Sequence, residues 1–313
     1  DLNNEEWTPI GNSTTAFQGT FDGDNHTISN LVINGGSSSN QGFFGMTTNG
    51  EIKNVIFNNA KVSGRLNVGV VAGTPYTSKY TNIKVTGHVE VNGMAYVGGV
   101  GGKNAYANWT DITVDVDGES YVKATSTENA TQYRTYVGGV IGFNGEGGHT
   151  FKNITSNINV IGDVCDIGGI FGIAHYGNKF EDITHTGTVT NTNSNAEDVV
   201  ETGLIAGVWH NQAGTSVTFT NTASSGTISA PNAGVTFPEN SLVGAAYNAS
   251  NETSGTSGSL VINGETVYPY VAKIGEVGYN TLAKAVTAAQ DSEKIQILWK
   301  EGEAPIAMNA ALY

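Results

Sequence analysis

The chain has 313 residues, with 42 glycines, 6 prolines, a single cysteine and a formal net charge of −14. So much glycine without a Gly-X-Y period excludes collagen, and so little proline argues against a Pro-rich disordered chain. Arginine occurs only at Arg65 and Arg134, which disfavours nucleic-acid binding because that needs clustered cations. No run of 18 apolar residues marks a membrane-spanning helix, and one cysteine excludes an internal disulfide.

Near the N-terminus, Trp7-Thr8-Pro9-Ile10-Gly11 and Phe17-Gln18-Gly19-Thr20-Phe21-Asp22-Gly23 lead into the strand-like His26-Thr27-Ile28-Ser29-Asn30-Leu31. A glycine phrase then recurs as Gly42-Phe43-Phe44-Gly45, VGVVAG (68–73), VGGVGG (97–102), VGGVIG (137–142), IGGIFG (167–172) and TGLIAG (202–207), with a degenerate copy, SLVGAA, at 241–246. Its first glycines, at 42, 69, 98, 138, 168 and 203, are spaced by 27, 29, 40, 30 and 35 residues.

A second phrase follows each copy: an aromatic, any residue, Asn or Asp, then usually Ile. It appears as Tyr80-Thr81-Asn82-Ile83, Trp109-Thr110-Asp111-Ile112, Phe151-Lys152-Asn153-Ile154 and Phe180-Glu181-Asp182-Ile183. A third alternating strand comes next, as in Val89-Glu90-Val91, Ile158-Asn159-Val160 and Thr188-Val189-Thr190. Three short strands per period of about 30 residues, with no helical pattern between them, predict a β-solenoid. The expected fold is an all-β, right-handed parallel β-helix of about seven coils, each strand pairing with its equivalents above and below. At ~4.8 Å per coil the stack would be roughly 35 Å long. The glycines mark tight faces or corners, and the second-phrase Asn or Asp predicts a turn cap or an internal ladder. The longer spacings mark insertions at 121–133 and 191–200, which must leave the coil as loops or projecting strands.

The N-terminal passage, W-x-P-I-G then F-x-G-x-F-D-G-x-x-H-x-I then G-x-F-G, resembles the opening of GLUG-motif repeat regions in bacterial surface proteins. The similarity runs from about residue 7 to residue 246. It implies a β-helical passenger or stalk of secreted or wall-attached proteins, adhesins among them, and does not imply one activity. Within that class, composition and coils are similar to superantigen-like immunoglobulin-binding proteins of gut commensals.

Beyond the repeats, a Gly/Ser/Thr-rich stretch at 249–258 precedes strand-like segments. Tyr279-Asn280-Thr281-Leu282 leads into a short predicted helix over 283–290 and a strand over 294–299. This resembles the segment that opens new modules in large gut-bacterial surface proteins. The expected division is therefore a β-helix with its N-terminal opening coil over 1–248, then a connection and small α+β cap or module over 249–313. The helix is expected to cover an otherwise sticky solenoid end. The chain reads as a piece of a larger extracellular polypeptide.

Candidate sites lie in the loops between first and second phrases, which should stack along one edge. The residues expected to bind protein are Tyr76, Tyr106, His175, Tyr176, Trp209 and His210, because Tyr, Trp and His are the side chains of interface hot spots. Aromatics of the second phrase, such as Tyr80 and Trp109, are read as core. Asp22 and Asp24 belong to a structural turn, while Asp115/Asp117 and Asp163/Asp166 are carboxylate pairs that a solvated strand face also produces. Cys165 reads as a small buried hydrophobe. The six histidines show no metal-ligand spacing, and no cofactor is expected.

These readings point to a non-catalytic, monomeric binding module exposed at a cell surface. The expected partner is a host protein, with immunoglobulin variable domains as the specific candidate and a glycan as another. The competing readings are a polysaccharide-active β-helix enzyme and a passive stalk. A lyase on this scaffold would need a cationic base and a basic cleft, which two arginines in so acidic a chain do not supply.

Overall fold

The computed structural model describes residues 1–125, 135–145, 147–163, 165–192, 202–210, 215–229, 242–247, 259–267, 272–274, 277–279, 282–290 and 292–297. Much of both insertions, the stretch at 249–258 and the last residues lie outside the described part, as does the side chain of Cys165. Among the described residues the protein is all-β apart from one short helix, Leu282–Ala288.

Each repeat contributes strands to three sheets, and each strand pairs in parallel with its equivalent in the next repeat. The start of the first phrase with the residues before it, as in Ala95–Gly98 and Thr135–Gly138, builds a five-stranded sheet. The chain turns over two residues into Gly101–Asn104 and Ile141–Asn144 of a seven-stranded sheet. The second and third phrases supply a broad, thirteen-stranded sheet. Stacked long parallel strands of this kind are consistent with a β-helix.

The glycines of the first phrase let two backbones meet. A Cβ on Gly142 would sit 2.5 Å from the amide nitrogen of Val97, so the five- and seven-stranded sheets can approach only if that position is bare.

The broad sheet departs from the three-strand expectation. In the first repeats the second and third phrases fuse into single strands, Thr20–Asn34, Glu51–Ser63 and Lys79–Gly93. They separate only later, as Asn108–Val116 and Tyr121–Ala124. Each long strand changes direction at a residue with positive φ, namely Asn30, Asn59 and Gly87. Asn tolerates that conformation where most residues do not, so the strand bends without ending.

Register aligns the second-phrase aromatics Tyr80, Trp109, Phe151, Phe180 and Phe219 into one buried column, which Ile52 extends at its first end. Tyr80 stacks on Trp109 at 4.0 Å, Phe151 on Phe180 at 5.2 Å, and Phe180 on Phe219 at 4.6 Å. Polar tips are met from the opposite sheet. The Tyr80 hydroxyl bonds Thr47 Oγ1 at 2.7 Å, and Trp109 Nε1 donates to Asn104 Oδ1 at 3.0 Å.

The second-phrase Asn and Asp do form a ladder, but on the outer face and not inside. Asn54, Asn82, Asp111, Asn153, Asp182 and Asn221 all have positive φ and are half-buried or exposed. Asn54 donates to Asp22, Asn82 to Asn54, Asn153 to Asp111, and Asn221 to Asp182. The left-handed turn swings these side chains out of the core while the flanking aromatic and Ile stay in.

At the far end, Ser259–Ile262 adds in parallel to the broad sheet, and Glu265–Val267 closes its edge as an antiparallel strand. The helix Leu282–Ala288 packs with a separate three-stranded sheet, where Ala272, Ile274 and Ala285 form a small core of their own.

Candidate functional site

Of the six expected binding residues two are exposed, two are partly exposed and two are buried. Tyr76 and Tyr106 are 37% and 41% exposed, the most open large aromatics among the described residues. They come from neighbouring repeats and meet edge-to-face at 5.7 Å, and Tyr106 also meets His149 at 5.6 Å. Tyr106 and Thr77 both have positive φ, so each loop turns sharply immediately after its strand.

Two repeats further on, His175, Tyr176 and His210 form a second aromatic group. The His175 ring lies 4.4 Å from Tyr176 and 4.1 Å from His210, and Tyr176 lies 5.1 Å from His210. Tyr176 and His210 are partly exposed, but His175 is buried beneath this contact. Burial, and then the neighbouring His210, push the His175 pKa down to about 4, so the ring is neutral near pH 7.

Trp209 is a correction. It is 1% exposed and belongs to the main core. Its position, two residues after Gly207, matches Asn104 after Gly102, Asn144 after Gly142 and Ala174 after Gly172, all inward-facing on the same sheet. Strand alternation sends Trp209 inward and its neighbour His210 outward. The repeat itself carried that signal.

Where the five- and seven-stranded sheets meet, Tyr96 and Tyr136 of the first, which sequence reading missed, gather with Phe143 of the second. Tyr96 stacks over Tyr136 at 6.0 Å, and Phe143 meets both edge-on at 5.4 Å. Lys103 Nζ lies 5.5 Å from the Tyr96 ring centre and 5.8 Å from that of Phe143, within cation–π range. With buried Ile173 and Val208 these rings make a second hydrophobic cluster, separate from the main core. Tyr96 aligns with Asn67 and Asn40, and all three have positive φ. A bulky ring there is conformationally costly, and such strain is often found at functional positions. Strand parity places Phe143, Ile173 and Val208 on the same face as His175 and His210, so this cluster adjoins the aromatic edge.

The acidic candidates resolve differently. Asp117 joins a polar cluster on the broad sheet, where His88 Nδ1 lies 3.0 Å from Asp117 and Nε2 lies 2.9 Å from Glu90. Lys61 pairs with Glu90 at 2.8 Å. Hydrogen bonds to Glu90 and Asp117 raise the His88 pKa, while those from Lys61 and His88 lower that of Glu90. Asp22 is tied to Lys53, Asn54 and the Asp24 amide. Asp166 is buried, away from any paired carboxylate role with Asp163 on a solvated face.

Concavities are modest. One hollow of about 270 Å³ is lined by Gln18, Thr20, Asn49, Glu51 and Lys79. Another, of about 240 Å³, is lined by Asn30, Asn59, Lys61 and His88. Neither includes the aromatic edge. Among the described residues no helix is long and apolar enough to cross a membrane.

No family model matches the chain. A stretch of 96 residues, 29% of the chain, is 44% identical to halomucin of Haloquadratum walsbyi, of whose length the chain spans about 1%. A solved structure of a proposed immunoglobulin A1 protease from Bacteroides ovatus aligns over 84% of this chain and 68% of its own. It does so at 16% identity and a TM-score of 0.39, which is too low to carry an argument.

Proposed function

We propose that the chain is a right-handed parallel β-helix module of an extracellular surface protein, about seven coils long, that binds a protein partner without catalysis. Parallel strand crossovers are right-handed in about 98% of cases, which supports the handedness. The local likeness to halomucin and the GLUG-like N-terminal passage support a surface-protein setting.

The observation that carries the binding role is the placement of aromatics. Tyr80, Trp109, Phe151, Phe180 and Phe219 are buried in one repeated column, whereas Tyr76 and Tyr106 pair in the open. Exposed Tyr at the centre of an apolar and polar mixture is the anchor chemistry of protein recognition. Tyr96, Phe143 and Tyr176, each partly exposed, add aromatic surface to it. Immunoglobulin variable domains are the finer candidate, and that step rests on the family resemblance alone. The module works as a monomer with no cofactor for binding. We place its boundary after the hairpin ending at Val267, since Ser259–Ile262 still pairs with the repeats.

The test is retention of purified immunoglobulin, other secreted host proteins and a glycan panel by the immobilised chain. Saturable protein retention that falls at least tenfold in the Tyr76→Ala/Tyr106→Ala double variant is expected. Retention of nothing would overturn the reading in favour of a passive stalk, and turnover of a polysaccharide would favour an enzyme.

A further inference from the structure

His175 and His210 follow Ala174 and Trp209, which are register partners on the adjacent parallel strands Phe171–Ala174 and Ala206–His210. The two histidines therefore stand one above the other, one strand spacing apart. Their rings are nearly perpendicular, at 86°, and His175 Nε2 points directly at His210 Nδ1 in close contact. Two imidazole nitrogens that face each other this closely are joined either by an N–H to lone-pair hydrogen bond, with one ring as donor, or by a metal ion held between two lone pairs.

We propose that this pair is a binding site for a late first-row divalent cation, such as Zn²⁺ or Cu²⁺, held by His175 Nε2 and His210 Nδ1. Imidazole is the side-chain ligand these ions favour. Tetrahedral Zn–N bonds of about 2.0–2.1 Å put the two nitrogens roughly 3.3 Å apart, so small side-chain rotations open the pair enough to admit the ion. The backbone spacing of neighbouring strands, about 4.8 Å, needs no change. Tyr176 packs against both rings. Among the described residues no third His, Cys, Asp or Glu converges here, so the protein supplies two ligands and water fills the remaining positions.

The site does not depend on the partner-binding reading, because it is tested with metal alone. Zinc titration of the full chain by calorimetry is expected to give one site, and zinc is expected to raise the melting temperature. His210→Gln, at a partly exposed position, should weaken zinc binding at least tenfold while its metal-free melting temperature stays close to the original. His88→Gln, in the separate polar cluster, should leave zinc binding intact. Cu²⁺ bound to the original chain should show nitrogen coupling in its electron paramagnetic resonance spectrum, lost in His210→Gln. Absence of zinc binding by the original chain up to millimolar concentration would overturn the proposal. So would full retention of binding in His210→Gln, even if His175→Gln fails to fold.

Discussion

The inner column of the broad sheet and the outer edge of the seven-stranded sheet are both rich in aromatics, yet they obey different rules. In the column, Tyr80, Trp109, Phe151, Phe180 and Phe219 occupy one register position in successive repeats and are buried. Along the edge, Tyr76, Tyr106, His149, Tyr176 and His210 come from loops or strand ends, and the equivalent places in other repeats carry residues such as Ala105 and Gly145. An aromatic carried at the same buried place by successive repeats is architecture, and one carried at an open place by only some of them is free to serve recognition.

The sharpest contrast is in stability. Phe180→Ala removes a ring stacked on both sides and should cost about 3–5 kcal/mol, seen as a large fall in the urea midpoint. An equal loss from Tyr106→Ala would erase the distinction.

Acid probes the interior next. His185 continues the column of Val85 and Val114 by way of Ser156, is fully buried, and bonds only the Ile158 carbonyl at 3.1 Å through Nε2. Burial pushes its pKa down to about 4. The unfolded chain therefore takes up a proton near pH 6.5 that the folded one resists, so its contribution is intact above that pH and is lost as pH falls toward 4. The loss should reach about 3 kcal/mol, and His185→Val should flatten the slope. The raised pKa of surface His88 acts oppositely, adding stability at low pH that fades as pH rises through its folded value. Thermal melts across pH 4–8 separate the two.

The outer ladder should matter less. Asn82→Ala leaves a positive φ without the Asn side chain that bonds Asn54 and Asn25. A cost of about 1–2 kcal/mol is expected by chemical denaturation, combining the strain with the lost hydrogen bonds. The smallest change is at the edge. Tyr106→Ala should alter stability by no more than about 0.5 kcal/mol, as for an exposed side chain.

Much of this was legible because strand register preserves spacing. The second-phrase aromatics recur at matching positions, and the structure stacks them. Trp209 was misread because its loop-like place after the glycine phrase outweighed its parity with Asn104, Asn144 and Ala174. Tyr96 escaped notice because it replaces Asn at a left-handed corner, a choice visible only once Asn40 and Asn67 are aligned with it. His175 and His210 were legible as residues of one stacked edge, but that their ring nitrogens face each other needed the strand register. Fusion of second and third strands was likewise invisible, since the Asn30, Asn59 and Gly87 corners look like strand breaks.

The most direct test measures partner retention and melting temperature together for the original chain, Tyr76→Ala/Tyr106→Ala and Phe180→Ala. The double edge variant should lose retention at least tenfold with its melting temperature nearly unchanged, while Phe180→Ala should melt far lower. Unchanged retention in the edge variant, or a collapse of its melting temperature, would contradict the division between column and edge.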